Sequence, residues 1–530
     1  MKIKINIFFL LAVIGLLSNI LHAQSTFSKV LYNSSLQNSL EAHSIVTTND
    51  NGYIIAAAGG NEGLILKIDS VGDIVWNRLV NDHHPNIGPD VALLDLTTTS
   101  DSCFLLVGFI PNIATGSSSA YFIKINSNGD TLLSKMISQT DYQIFAASVQ
   151  QTADSGYIMT GSAITSTNLP YDRVFAAKIN SIGNLIWTVI LTDGTDYTVG
   201  RSIKQTPDGG YIMTGYTESF LPYEQNAFLI KLSSNGAVSW AKKYNLDSTV
   251  TSSGNDLLIK NDGIICYLNI GGKVSLMKTD FSGNILWSKS YNFNGGSNCY
   301  GCPAPKLHET SDDEYVFVNS DCKGGKITKV DSIGNLIWTK DLSLIATDVI
   351  ESKDKGFFII GNGPLCGRMQ DTTVPVIGII KIDSLGNGQF CVSPDDSVIS
   401  ITDTVISSSV LFTSLTGGTE NTIQPSVNPI VIIPDSRCVA VFDGIQEPKS
   451  DNEILVYPNP GTDKYYIKLP KGIDVSQASV EVYNLLGELV FITKMQNSLT
   501  SIDLSQQSSG IYIIRVNANS QSLNQRLIKQ

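Results

Sequence analysis

Two short motifs each occur twice in neighbouring stretches of this 530-residue chain: LPYD at 169–172 with LPYE at 221–224, and TDY at 140–142 and again at 195–197. Each sets a tyrosine beside a carboxylate: Tyr171 with Asp172, Tyr223 with Glu224, Tyr142 with Asp141, Tyr197 with Asp196. Aromatic rings stack on apolar faces of sugars or peptides, and carboxylates accept hydrogens from hydroxyls and amides, so this pairing is the chemistry of recognition. The candidate ligand-binding residues are therefore Tyr142, Tyr171, Asp172, Tyr197, Tyr223 and Glu224. The structural alternative is that LPY packs its own loop and TDY caps a turn.

Bond-breaking chemistry has less to stand on. There is no G-x-S-x-G elbow, H-E-x-x-H pair or phosphate-binding loop, and the chain has five histidines. No catalytic residue, metal ligand or cofactor is assigned, although an acidic chain leaves paired carboxylates open. The adjacent histidines of NDHHPN (81–86) point apart on an extended segment and read as a surface loop. A net charge of −12 argues against a nucleic-acid or anionic-membrane partner, either of which needs a basic face.

The first 24 residues, MKIKINIFFLLAVIGLLSNILHAQ, carry Lys2 and Lys4, an apolar run over 7–17 and a small Ala23. That order predicts a secretory signal peptide over 1–23 and a mature chain without a transmembrane segment. In an exported protein eight cysteines can form disulfides, with 105 possible pairings if all are bridged. Cys299 and Cys302 (NCYGCP), and Cys391 and Cys438, are the disulfide candidates; a redox or zinc reading of NCYGCP lacks a βαβ context and further ligands at motif spacing.

Positioning any such site requires a scaffold, and the chain repeats one. DSVGDIVW (69–76), NSNGDTLL (126–133), NSIGNLIW (180–187), SSNGAVSW (233–240), DFSGNILW (280–287), DSIGNLIW (331–338) and DSLGNGQF (383–390) share a glycine at the fourth place, at intervals of 57, 54, 53, 47, 51 and 52 residues. A second marker, such as DSGYIMTG (154–161) or DGGYIMTG (208–215), leads polar turn residues into a short apolar run in every period. Each period resolves into four strands, as in RSIKQT (201–206), YIMTGYT (211–217), AFLIKLS (227–233) and AVSWAKKY (237–244), with ESFLPYEQN as a loop between the second and third. Seven four-stranded repeats predict a seven-bladed β-propeller over 24–390, since stacking such sheets buries both faces of each. TFSKVLYN (26–33) resembles a fourth strand, ILWSKSYN (285–292), yet precedes the first repeat. It is expected to close the ring as the outer strand of blade seven.

In the glycine-centred motif, Asp and Ser bond nearby amides and Gly takes the positive φ of a hairpin. The Trp at the eighth place (76, 187, 240, 287, 338) is expected to pack between blades, at about 3–5 kcal/mol per Trp→Ala change if buried. A calcium loop would need further alternating acids and a later Glu, which are missing. The motif resembles the Asp-box hairpins of sialidase-type propellers and the docking repeats of quinoprotein propellers; in both families it is structural, so the resemblance implies fold and not chemistry. The turns after the first and third strands are uniform and share one face. The variable links share the other, and the recognition surface is expected there.

After residue 390 the repeat stops, and 391–452 is Ser/Thr-rich, either a linker or a small β region closed by a Cys391–Cys438 bridge. Alternating strands in 453–530 predict a β-sandwich. Its YPNP start, EVYNLLGELV, SSGIYIIRV and basic-apolar tail occur in order and resemble the type A C-terminal sorting domain of the type IX (Por) secretion system. That resemblance implies partnership with the type IX machinery, export across the outer membrane after entry to the periplasm, and release or surface attachment of the cargo. The fold class is thus all-β: propeller, linker, sandwich. The expected function is a secreted or cell-surface module recognising a glycan, peptide or surface partner. The alternatives are a glycan hydrolase or lyase using carboxylates in the central channel, and a purely structural surface protein.

Overall fold

A computed structural model of the chain describes residues 26–388 apart from 33–39, 60–61, 82–90, 113–116, 166–171, 196, 221–222, 246–249, 294–304, 322–323 and 364–375, then six short strands between 399 and 435, and most of 455–529. Residues 1–23, His83, His84, Tyr171, Asp196 and the cysteines at 299, 302, 391 and 438 lie outside the described residues; Cys103 and Cys266 are free thiols. No helix among the described residues is long and apolar enough to cross a membrane.

The first six repeats each form an antiparallel four-stranded meander, and the seventh contributes three strands of its own. Blade four is typical, with Tyr197–Gln205, Tyr211–Phe220, Tyr223–Leu232 and Val238–Asn245. The first strands touch in sequence around a closed cycle, the first strand of blade seven (Ile345–Glu351) meeting that of blade one (Leu40–Thr47). The reason is visible in each second strand, where both faces are apolar. Ile54 and Ala56 pack toward blade two while Ile55 and Ala57 pack toward blade seven, and the propeller core divides into seven clusters, one per blade interface. An isolated sheet would leave both of those faces in water.

Phe27–Tyr32 pairs antiparallel with Ile377–Ile382 as the outer strand of blade seven, from Phe27 opposite Lys381 to Leu31 opposite Ile377. Phe27 also replaces a tryptophan: a Cβ added at Gly72 would come within 2.6 Å of its ring, as one at Gly236 would come within 2.9 Å of Trp187 and one at Gly283 within 2.7 Å of Trp240. Each aromatic therefore seats on the turn glycine of the next blade. The seven glycines have φ between 75° and 85°, so the position demands Gly twice over, for its backbone and for its missing side chain. The tryptophans are half-buried rather than buried, which lowers the truncation cost below the core range.

Within the turn, the Asp331 oxygens accept the backbone amides of Ile333 (3.0 Å) and Asn335 (2.8 Å) and the Asn335 side chain (2.9 Å), so its oxygens are taken by the loop's own donors. The second marker is tied to the third strand by a buried or half-buried lysine in every blade: Lys67–Asp50 (2.6 Å), Lys124–Asp101 (2.7 Å), Lys178–Asp154 (3.0 Å), Lys231–Asp208 (2.8 Å), Lys278–Asp262 (2.6 Å), Lys329–Glu314 (2.5 Å) and Lys381–Asp354 (2.8 Å). Burial pushes Asp50 up, but hydrogen bonds from Lys67, Thr48 and the Gly52 amide outweigh it and leave the carboxyl at about 2.

The segment after the ring does not form a sheet of its own. Ile399–Ile401 pairs with the outer strand of blade five, Ile406–Ser409 with blade four, Thr413–Thr416 with blade three, Thr419–Thr422 with blade two, Ser426–Asn428 with blade one and Ile433–Asp435 with the closing strand of blade seven. The chain thus runs back around the rim as a belt, adding a fifth strand to six blades. Short Ser/Thr/Val/Ile segments suit this, because an edge strand offers a ready row of unpaired backbone groups.

The C-terminal unit, 441–530, contains a three-stranded sheet (Leu455–Tyr457, Lys464–Lys468, Leu499–Asp503) and a four-stranded one (Leu489–Lys494, Ser479–Asn484, Gly510–Ala518, Gln521–Lys529). Tyr465, Ile467, Val480, Val482, Ile514 and Val516 share its core, giving the expected sandwich.

Candidate functional site

Six of the seven inner strands carry one register slip that adds a residue opposite the second strand, between Ala42 and Ser44, Leu93 and Asp95, Ala146 and Ser148, Gly200 and Ser202, Gly254 and Asp256, and Ala346 and Asp348. The residues after these bulges form a polar girdle around the channel: Ser44, Asp95, Ser148, Ser202, Asp256 and Asp348, with Lys306 just before Leu307–Glu309 at the matching place in blade six. Asp95 accepts from Ser44 (3.0 Å) and from the Val149 amide (2.9 Å); Asp256 from Ser202 (2.7 Å) and the Leu307 amide (3.0 Å); Asp348 from Ser44 (3.1 Å), the Ile45 amide (3.0 Å) and His308 (2.8 Å). The rule is constant. A girdle aspartate takes the backbone N–H one step beyond the girdle in the following blade.

Lys306 reaches across to Asp95 at 3.0 Å. Burial disfavours its charge, but Asp95, Asp256 and Asp348 outweigh that and raise its pKa. Burial and Lys306 together lower His43 to about 4, so it is neutral at physiological pH. The channel carboxylates are thus engaged in joining blades, with the Ser148 hydroxyl left as the buried girdle group without a partner.

The expected tyrosine face falls on blades three and four. Asp172, which opens the third strand of blade three, forms a parallel bridge with Tyr197, which opens blade four, and so merges the two blades into one continuous sheet. Tyr223 and Glu224 are exposed at the tip of the hairpin joining the second and third strands of blade four. That connection is not the nine-residue loop expected: the strands continue until Phe220 faces Tyr223. Tyr142 behaves differently, since it is half-buried against the core between blades two and three.

Three residues that sequence reasoning passed over complete this region. Glu218 lies opposite Tyr197 in register and accepts from Gln225 at 3.0 Å. The Arg201 guanidinium sits over the Tyr216 ring, 5.0 Å from its centroid, and its Nη1 donates to Asn255 of blade five. Burial raises the Tyr216 hydroxyl, Arg201 opposes this, and Glu218 and Asp172 add to it, so the phenol lies where these three groups converge. Asp172 is itself raised by burial, with Arg173 opposing and Glu218 adding. The signal was present as a repeated small-x-[Ser/Asp/Lys]-aliphatic pattern in the inner strands, AHSI, AASV, GRSI, GNDL, APKL and ATDV, whose second member in blade four is Arg201.

The uniform face also has a feature. A cavity of about 770 Å³ lies at the turns after the first strands of blades one, two and seven, lined among others by Thr48, Asp50, Lys67, Thr99 and Glu351. Its Lys67 and Asp50 are the paired charges already described.

Comparison with known proteins adds the following. A streptogramin B lyase structure is similar over 68% of this chain and 98% of its own, at 13% identity and a TM-score of 0.42. A virginiamycin B lyase from Staphylococcus aureus matches over 68% of this chain at 12% identity, also with a TM-score of 0.42. An ulvan lyase from Nonlabens ulvanivorans is 41% identical over 71 residues, 13% of each protein, so the chain spans about an eighth of that relative's length. The family model for the secretion system C-terminal sorting domain matches residues 455–530. This is the segment whose motifs and sandwich fold led to the same family. The chain is a β-propeller protein with a type IX C-terminal sorting domain, exported to the cell surface or beyond.

Proposed function

We propose that this exported propeller is a recognition module that holds a polar ligand, a glycan in the first instance, on its variable face at blades three and four. The observation that carries this reading is the Asp172–Tyr197 bridge, which sets a carboxylate and a tyrosine side by side on a continuous strand surface, with Glu218 opposite Tyr197 and the Tyr223–Glu224 tip exposed nearby in the same blade. Rings and acceptors on rigid strands suit hydroxyl-rich ligands, since little ordering is needed on binding. The reading as a hydrolase or lyase working through channel carboxylates is weaker, because each of those aspartates accepts a backbone amide from a neighbouring blade.

The test is a glycan array probed with the purified chain and with Tyr197→Ala and Tyr223→Ala variants. Retained hits that weaken at least tenfold in either variant support the surface. Hits unaffected by both changes would move the site elsewhere, and blank arrays would sink glycan recognition.

A further inference from the structure

Arg201 differs from the third-strand lysines and from Lys306. Each blade's third-strand lysine has a carboxylate within 3.0 Å, and Lys306 has Asp95. Arg201 is half-buried, and burial lowers its pKa, yet its partners are the Asn255 amide oxygen and the Tyr216 ring and hydroxyl. No ion pair among the described residues includes it. A guanidinium carries five N–H donors in a rigid fork that matches a carboxylate in two-point contact. A charge withdrawn from water without a counter-charge is costly, and it persists where a ligand supplies the missing anion.

Three neighbours define what else that ligand would offer. Glu218 and Asp172 are acceptors close enough to the Tyr216 hydroxyl to shift it, and Tyr197 lies against both in register. In the first strand of blade three, which packs beside the strand that carries Arg201, Ser148 has a buried hydroxyl with no partner. A guanidinium set on a phenol and an amide, with acceptors grouped beside that phenol, matches a molecule bearing one carboxylate and several hydroxyls. A peptide terminus brings the carboxylate without the hydroxyls.

We infer that Arg201, with Tyr216 and Asn255, binds the carboxylate of an acidic saccharide, a uronic-acid glycan, while Asp172, Glu218 and Tyr197 receive its hydroxyls. The inference rests on the recognition surface proposed above and names its ligand class.

Titration calorimetry on the full chain tests it with three probes: a uronate tetrasaccharide, a neutral hexose tetrasaccharide and a tetrapeptide with a free C-terminal carboxylate. The uronate is expected to bind at least tenfold more tightly than either other probe. Arg201→Gln should remove at least tenfold of uronate affinity, lower neutral-sugar affinity by a smaller factor and leave the melting temperature equal or higher, because it deletes an uncompensated charge. A merely structural arginine would instead lower it. Arg201→Lys keeps the charge without the fork, should fall between, and carries the comparison if Arg201→Gln does not fold. Equal binding of acidic and neutral sugars, unmoved by either change, overturns the inference while leaving the recognition surface standing. Binding of the peptide alone also overturns it, and absence of any saccharide binding overturns both.

Discussion

Lys306 of blade six donates to Asp95 of blade two across the channel, at 3.0 Å, so the ring is held through its centre as well as between neighbours. Both groups are largely buried, at 15% and 7% side-chain exposure. Lys306→Met would leave Asp95, Asp256 and Asp348 without their shared cation. Removing one partner of a buried pair costs about 3–5 kcal/mol, and urea unfolding should show a loss of that size.

His43 gives the channel a pH signature. Its folded pKa is depressed from 6.5 to about 4, so below pH 6.5 the unfolded chain binds a proton that the folded chain refuses. Stability therefore falls as pH drops from 6.5 to 4, with a slope approaching one proton, and levels off below. His43→Asn should flatten that part of a stability-against-pH curve. An unchanged slope would assign the proton elsewhere.

The aromatic-on-glycine contact can be tested from both sides. Trp187→Ala is expected to cost about 2 kcal/mol, roughly half the core value, because the ring is half-buried. Gly236→Ala should cost at least 1–2 kcal/mol (approximately) from its φ of 85° alone, plus the displacement of Trp187. Thermal unfolding of the double variant should show less than the sum, since the two residues share one contact.

Removing residues 26–33 opens the ring at blade seven. It deletes the strand between Ile377–Ile382 and Ile433–Asp435 together with the Phe27 contact on Gly72, and the melting temperature should drop by several degrees or more. An unchanged melting curve would contradict closure by this strand.

The belt makes a spatially patterned prediction. A chain ending at 398 should show faster hydrogen exchange at the outer strands of blades five, four, three, two, one and seven, at residues such as Leu79–Asn81 opposite Ser426–Asn428, while inner strands stay protected. Uniform change across inner and outer strands would indicate global loosening instead.

What could be read in advance, and what could not, follows from where each residue gets its meaning. The repeated four-stranded sheets were legible because Gly at a positive φ and apolar strand runs are demanded locally, by the turn and by the pleat. The girdle was missed although GRSI and GNDL repeat as regularly as the turns, because a single buried polar residue per inner strand gains its role only when seven strands meet. Nothing in RSIKQT marks Arg201, because its partners Asn255 and Tyr216 come from another blade and another strand. The belt strands, three or four residues each, are too short for periodicity to be decisive, and their register is set by the edges they meet. Tyr142 followed the opposite course: its motif matched Tyr197, but its neighbours in the core took it.

The belt also gives the molecule a mechanical order. Because its strands follow the rim against the direction in which the blades were laid down, tension entering the chain beyond residue 435 reaches Ile433–Asp435 first, and with it the strand that shuts the ring. Release then passes to blades one, two, three, four and five in turn, three or four residues at a time. A pull on the tail would be felt first at the clasp, and the rest of the hoop would come away stave by stave.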